Sequence, residues 1–429
     1  MSEFLELNDL EVFWDKIRTY LNNKNLKTEK INIEDSLGRI CAEDIKAEVN
    51  LPPFSRSTVD GFAVKADDTA GASATLPAYL DIIGEVKMGK ETNLELNSGQ
   101  AVEMPTGGMI PEGADAVLMI EYTDYLDEST IETARAVASG ENIVVKGEDI
   151  EKGEKLFDRG HRIRPRDIGA MAGLGITEIS VYEKPEIAVI STGDELVDAG
   201  ENAGPGEIRD INSYSITSLL KAHGVQSNKV GIVKDEFNLL KKAVENNLDS
   251  DLVLISGGSS VGVKDMTIDL LNSLGEPGVL LHGLSIKPGK PTILAIIKGT
   301  PVIGLPGHPA SAWTVSRVLL KPIIKFLLGE IKAKNIGREI SKGKKENYEY
   351  IFEAELTRNI VSDKGREEYI PVKLWEKEKG KFLAEPIVGK SSLITTLVRG
   401  DALIKIDTFE EGKNKGDKVK AELIEPGVY

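Results

Sequence analysis

The stretch "SGGSSVGVKD", residues 256–265, follows the apolar run "DLVLI". Gly257 and Gly258 can turn a backbone sharply and bring it close to a ligand. Ser259 adds a hydroxyl, and free N–H groups at the entry to a helix attract anions. Gly257 and Gly262 have the outer spacing of a Walker A phosphate loop, but no Lys-Ser/Thr pair follows and the stretch ends in Lys264-Asp265. An ordinary strand-to-helix turn would use the same glycines. In "KPGK", Pro288 and Gly289 stiffen the chain between Lys287 and Lys290, so two ammonium groups can be fixed over one oxyanion. Glu195 in "STGDEL", Asp235 in "KDE" and Asp265 each follow a predicted strand. Carboxylates beside a phosphate cradle suit Mg²⁺ or a similar divalent cation, which takes few protein oxygens and shares those of the phosphate. Asp235 and Asp265 each precede a predicted helix, so N-capping is an alternative use for both. "GLPGHPAS" brings Pro306, Pro309, Ser311 and further backbone donors to the start of another helix. His308 within it reads as a helix-entry or packing residue rather than a base.

Elements must carry these loops to one place. "EIAVIST", "NKVGIVKDE", "DLVLIS", "PTILAII" and "TPVIGLPG" read as strands, and "RDINSYSITSLLKAHG", "EFNLLKKAVENNL", "DMTIDLLNSLG" and "HPASAWTVSRVLLKPIIKFLLG" as helices. This alternation predicts a three-layer α/β domain over 183–330 with a largely parallel sheet. Open parallel sheets bind ligands at the carboxyl ends of their strands, where these loops fall. Short apolar runs split by Gly, Asn and Pro predict a small β-domain over 49–143, and "YEYIFEAEL", "EYIPVKLWEKE", "FLAEPIV" and "ALIKID" a second over 337–429. Residues 8–24 read as a helix with Leu10, Phe13, Trp14, Ile17 and Leu21 on one face, and a short helix follows Pro165. The charge runs "SKGKKENYE" and "FEEGKNKGDK" read as solvated turns.

A chain of 429 residues is too long for one ordinary core. Its formal net charge of −16 argues against a general nucleic-acid surface or an anionic membrane partner, and makes a local lysine pair more informative. The single cysteine, Cys41, rules out an internal disulfide or a thiolate cluster and fits a reducing cytoplasm. The acidic start "MSEFLELNDL" is unlike a signal peptide, and no apolar run approaches the roughly 20 residues of a membrane span. Scattered histidines without an H-E-x-x-H pattern argue against a zinc hydrolase.

In order, "PPFSRSTVDGFAV", "MPTGGMIPEGADAV", "STGDEL", "SGGSSVGVKD", "KPGKP" and "GLPGHPAS" resemble the motif series of the MoeA family of molybdopterin molybdenumtransferases, relatives of the E domains of gephyrin and plant Cnx1. The resemblance implies a segmented domain from 1–48 and 144–182, an inserted β-domain over 49–143, an α/β domain like that of MogA, and a C-terminal β-barrel-like domain. It implies a homodimer and the insertion of molybdate or tungstate into adenylylated molybdopterin, with metal-promoted hydrolysis of the adenylate and loss of AMP. An upstream adenylyltransferase of the MogA/MoaB type would supply that substrate. By motif position Asp60 and Thr106 would reach in from the inserted domain, Glu195, Asp235 and Asp265 would form the metal and phosphate group, and Lys287, Lys290 and Ser311 the oxyanion site. Arg366 and Ser391 or Ser392 would come from the C-terminal domain. His308 replaces the family's usual Asn in "GLPGNP", and "VRGDALIKI" departs from its usual "ANGL" wording. A gephyrin-like scaffold without catalysis is the alternative reading.

Overall fold

The computed structural model describes residues 7–257, 261–338, 351–387, 389–390 and 392–424. The readings made above at Gly258, Ser259, Ser391 and the charge run 341–349 fall outside that set. The chain forms two compact units, one of Lys30–Val181 and one of the chain up to Glu29 with Tyr182–Tyr429.

In the unit of Lys30–Val181, a six-stranded sheet runs Ala116–Met119, Gly61–Val64, Gln100–Met104, Ala78–Glu85, Thr130–Thr133, Thr123–Tyr125. Alternate residues serve two cores. Phe62, Leu80, Leu118 and Ile131 fill one, while Ala63, Val102 and Val117 join Val86 and Leu96 in the other. The segments flanking this sheet pair with each other, Lys155–Phe157 against Ile45–Lys46. Around them Ile33, Cys41, Ile163, Met171 and Val181 form a third cluster. Burial pushes the Cys41 thiol up to about 11, with the nearby Asp167 charge adding to it, so the thiol is inert at neutral pH.

The segment read above as 1–48 divides between the units. Its helix, Leu10–Leu21, buries Phe13, Trp14, Ile17 and Leu21, and the buried Arg18 donates from Nε to the Ile336 carbonyl at 2.8 Å. Those contacts tie it to the unit that holds residues 182–429.

The α/β domain has strands β1 (Glu186–Thr192), β2 (Gln226–Val233), β3 (Leu252–Gly257), β4 (Pro277–His282), β5 (Ile286–Lys287), β6 (Ile293–Ile297) and β7 (Thr300–Leu305). Its helices are α1 (Asn212–Ala222), α2 (Phe237–Glu245), α3 (Val261–Leu274) and α4 (Pro309–Leu327). The sheet order is β2-β1-β3-β7-β6-β4, with β5 left to another sheet. β2, β1, β3 and β7 are mutually parallel, whereas β6 is antiparallel to both β7 and β4. Ala188, Ile190, Val253 and Ile255 face α2 and α3. α1 and α4 cover the other face, giving three layers. The edge strand β4 was not anticipated from sequence.

The C-terminal strands β8 (Ile351–Leu356), β9 (Glu367–Glu378), β10 (Lys381–Pro386), β11 (Ala402–Ile406) and β12 (Lys418–Leu423) close on themselves. The order β9-β10-β8-β12-β11 returns to β9, which makes a barrel with no free edge in the ring. Its interior holds Val372, Ala384, Ile404 and Ala421. The barrel meets α4 through Trp313, packed on Leu403 and Ile424, and through the buried Arg317, which donates to the Ile424 and Leu423 carbonyls.

Candidate active site

The reversal of β6 decides where the loops fall. Had β6 run parallel to its neighbours, the "KPGK" loop at its start would lie at the amino ends of the strands. Because it is antiparallel, with Ile293 opposite Gly304 near the end of β7, the loop lies on the carboxyl rim with the others.

Two strand ends meet tightly on that rim. Thr192 and Gly257 are partners in the β1–β3 ladder, and Gly257 has φ of +123°. A Cβ there would lie 2.0 Å from the Thr192 carbonyl oxygen, so only glycine fits. The Thr192 hydroxyl donates to Asp235 Oδ1 at 2.6 Å, and the Asp235 N–H donates to Asp194 Oδ1 at 3.3 Å. Among the described residues, Asp235 Oδ2 makes no hydrogen bond. Glu195 is exposed, and its carboxylate oxygens lie about where a side chain on Gly193 would go, 2.9 and 3.0 Å from that Cβ.

Asp265 differs from expectation. α3 starts at Val261, so Asp265 sits exposed in its second turn and cannot cap it. Among the described residues, no three His, Cys, Asp or Glu side chains gather closely enough to hold a metal ion. Glu195, Asp235 and Asp265 therefore do not close a cage by themselves. The free oxygens of Asp235 and Glu195 on adjoining loops do fit the sparser demand of Mg²⁺, which takes one or two carboxylates and completes its shell with water and phosphate.

Asp210 and Asn212 were missed from sequence, where a polar pair at a helix start reads as a cap. Asp210 is buried; one oxygen accepts the Ser213 N–H at 3.1 Å and the other has no hydrogen bond. Asn212 Nδ2 donates to Ser256 Oγ and to the Gly307 carbonyl, both at 2.8 Å. One side chain thus ties the end of β3 to the "GLPGHPAS" loop. No local sequence signal marked Asp210 or Asn212; in the structure Ile208–Arg209 pairs in parallel with Leu196–Val197, which follows β1, and this brings "RDIN" to the same rim.

Pro306 is buried, Pro309 opens α4 and Ser311 is buried in its first turn. His308 is the N-cap residue, and its carbonyl accepts the Ala312 N–H at 2.9 Å. Lys290 is exposed and, among the described residues, makes no ion pair. Lys287 is already engaged: its Nζ lies 3.1 Å from Glu368 and 3.7 Å from Asp363. Arg366 pairs with the same Asp363 at 3.3 Å, and Ser392 lies exposed in a turn.

In the other unit, Asp60 and Thr106 meet. The Thr106 N–H and hydroxyl both donate to Asp60 Oδ1, at 2.6 and 2.9 Å. The next residue, Gly61, lets its strand approach its neighbour closely: a Cβ there would lie 1.8 Å from the Leu118 carbonyl oxygen. The Thr106 N–H, then its hydroxyl, hold the Asp60 carboxyl below the usual range. A lowered carboxyl pKa contributes stability above the unfolded value and loses it as pH falls through the folded value. Thr106→Ala keeps the N–H and removes the hydroxyl, so the Asp60 pKa is expected to rise part of the way back. A carbon-detected NMR titration of the carboxyl checks this, and an unmoved midpoint would deny the hydroxyl its role.

Comparison with known proteins extends these features over the whole chain. Residues 10–175 match the family model for the MoeA N-terminal region (domain I and II), residues 188–325 the one described as "Probable molybdopterin binding domain", and residues 353–424 the MoeA C-terminal region (domain IV). A molybdopterin molybdenumtransferase of Bacillus subtilis is 33% identical over 407 residues, 94% of this chain and 91% of its own. One of Haemophilus influenzae is 31% identical over 398 residues, 92% and 94% of the two chains. A crystal structure of a molybdopterin biosynthesis MoeA protein from Pyrococcus horikosii covers 97% of this chain and 99% of its own, at a TM-score of 0.81 and 34% identity. The likeness runs through all three matched regions, and the chain belongs to the MoeA family.

Proposed function

We propose that this chain is a molybdopterin molybdenumtransferase of molybdenum cofactor biosynthesis. It takes adenylylated molybdopterin and a tetrahedral oxyanion, molybdate or tungstate, and releases AMP as the adenylate is hydrolysed. The observation that carries the reading is full-length likeness to enzymes of that name, joined to a rim on which glycine loop, carboxylates and lysine loop converge.

Gly257 lets β3 end hard against β1, at the strand end where a phosphate would be received. Asn212 ties the end of β3, at Ser256, to the Gly307 loop, so both would border one ligand. Asp235, fixed by Thr192, and Glu195 would hold a divalent cation, which when bound offsets phosphate charge. Asp265, exposed on α3 rather than spent on a cap, is available to the same ligand. Lys287 and Lys290 take the oxyanion, with Ser311 as a hydroxyl donor. Asp60 and Thr106 act as a pre-ordered pair from the inserted domain of the partner in a homodimer. The enzyme works in the cytoplasm, after an adenylyltransferase.

The test is turnover of adenylylated molybdopterin by purified protein, with AMP measured by chromatography. AMP release that depends on molybdate or tungstate and on a divalent cation is the expected result. Release at the same rate without either oxyanion would mean a plain nucleotide hydrolase instead, and comparison of the two anions sets the preference.

A further inference from the structure

Lys287 is held by a carboxylate that is itself held. β5 joins the barrel as a parallel partner of β9, with Ile286 opposite Glu367 and Lys287 opposite Glu368, and the Glu367 N–H donates to the Ser285 carbonyl at 2.9 Å. The backbone therefore sets Lys287 beside Glu368. Glu368 Oε1 lies 3.1 Å from Lys287 Nζ, and Oε2 accepts the Ser362 hydroxyl at 2.6 Å. The Glu368 side chain is only 13% exposed, whereas Asp363 is 69% exposed and shared with Arg366. A fixed, largely desolvated carboxylate thus occupies the ammonium assigned to the oxyanion.

We propose that Glu368 is a built-in competitor for the oxyanion, which a tetrahedral dianion can displace from Lys287 and a monoanion cannot. The inference rests on the reading of Lys287 as an oxyanion lysine. A monoanion that takes Lys287 replaces one single charge with another and leaves the largely covered Glu368 carboxylate without its cation, which is costly. A dianion brings twice the attraction to the same ammonium and can also engage Lys290. Glu368 thereby sets one fixed cost for every anion, which the weaker attraction of a monoanion does not meet.

Perrhenate is a tetrahedral monoanion of nearly the size of molybdate and tungstate, so the three separate charge from shape. Binding of each is measured by calorimetry on the full chain, in wild type, Glu368→Gln and Lys287→Ala. The glutamine keeps the shape and the Ser362 hydrogen bond but not the charge. Wild type is expected to favour molybdate over perrhenate. Glu368→Gln is expected to bind both anions at least tenfold more tightly, which brings perrhenate into the measurable range. A gain of affinity cannot come from misfolding. Unchanged or weakened binding of both anions in Glu368→Gln, with binding lost in Lys287→Ala, would overturn the competitor role and leave the oxyanion lysine standing. Unchanged binding in Lys287→Ala would overturn that reading, and the competitor role with it.

Discussion

Gly257→Ala is expected to lower the melting temperature by about 5–15 °C and to abolish AMP release. The new methyl would sit 2.0 Å from the Thr192 carbonyl oxygen, at a backbone φ of +123°. The opposing atom is main chain, so no side chain can swing away. Positive φ in a non-glycine residue costs about 1–3 kcal/mol, and overpacking about as much again. A domain of this size converts each kcal/mol into roughly 2–4 °C. Thermal scanning with circular dichroism reads the first effect and the AMP assay the second. A variant that melts within about 2 °C of wild type would mean that β1 and β3 part at this point.

The second large effect is expected from Asp235→Asn. Thr192 donates to Oδ1, and the asparagine carbonyl can accept the same 2.6 Å hydrogen bond. The fold should stand while the charge goes. Removing a preorganised electrostatic partner of a reacting phosphate lowers the rate on the order of 100-fold or more. AMP release in single turnover, with the divalent cation varied, should fall by that factor and show a weaker dependence on the cation. Activity within threefold of wild type would take Asp235 out of the chemistry.

Both predictions concern residues that sequence reasoning could find, because the buried strands of a mostly parallel sheet read as continuous apolar runs with their loops at fixed places. The strand ends at Thr192 and Gly257 were legible in that way. β4 was not, because Val279, Leu280 and Leu281 stand between Pro277-Gly278 and Gly283, and such punctuation reads as a loop. The start of α3 was placed late because Gly262 and the β-branched Val261 and Val263 are weak helix formers. The role of Asn212 could not be read at all. Its two partners lie 44 and 95 residues away, and no local pattern carries that information. The same holds for Arg18, whose partner Ile336 is 318 residues distant, and for the engagement of Lys287 by Glu368, which depends on a two-residue strand pairing across domains.

The antiparallel hairpin of β6 and β7 also fixes what lies on the far rim. Its turn is Lys298-Gly299, with φ of 50° and 88°, and Ile297 faces Thr300 across it. Positive φ at both central residues matches the twist of the strands they join. A Cβ on Gly299 would meet nothing within 4 Å, and the Lys298–Glu245 pair beside it is exposed. The loops of this sheet proposed for ligands leave from its other end. An affinity handle or a surface linker grafted at this turn would therefore immobilise the enzyme with its mouth toward the bulk solution, an orientation suited to a sensor for oxyanions.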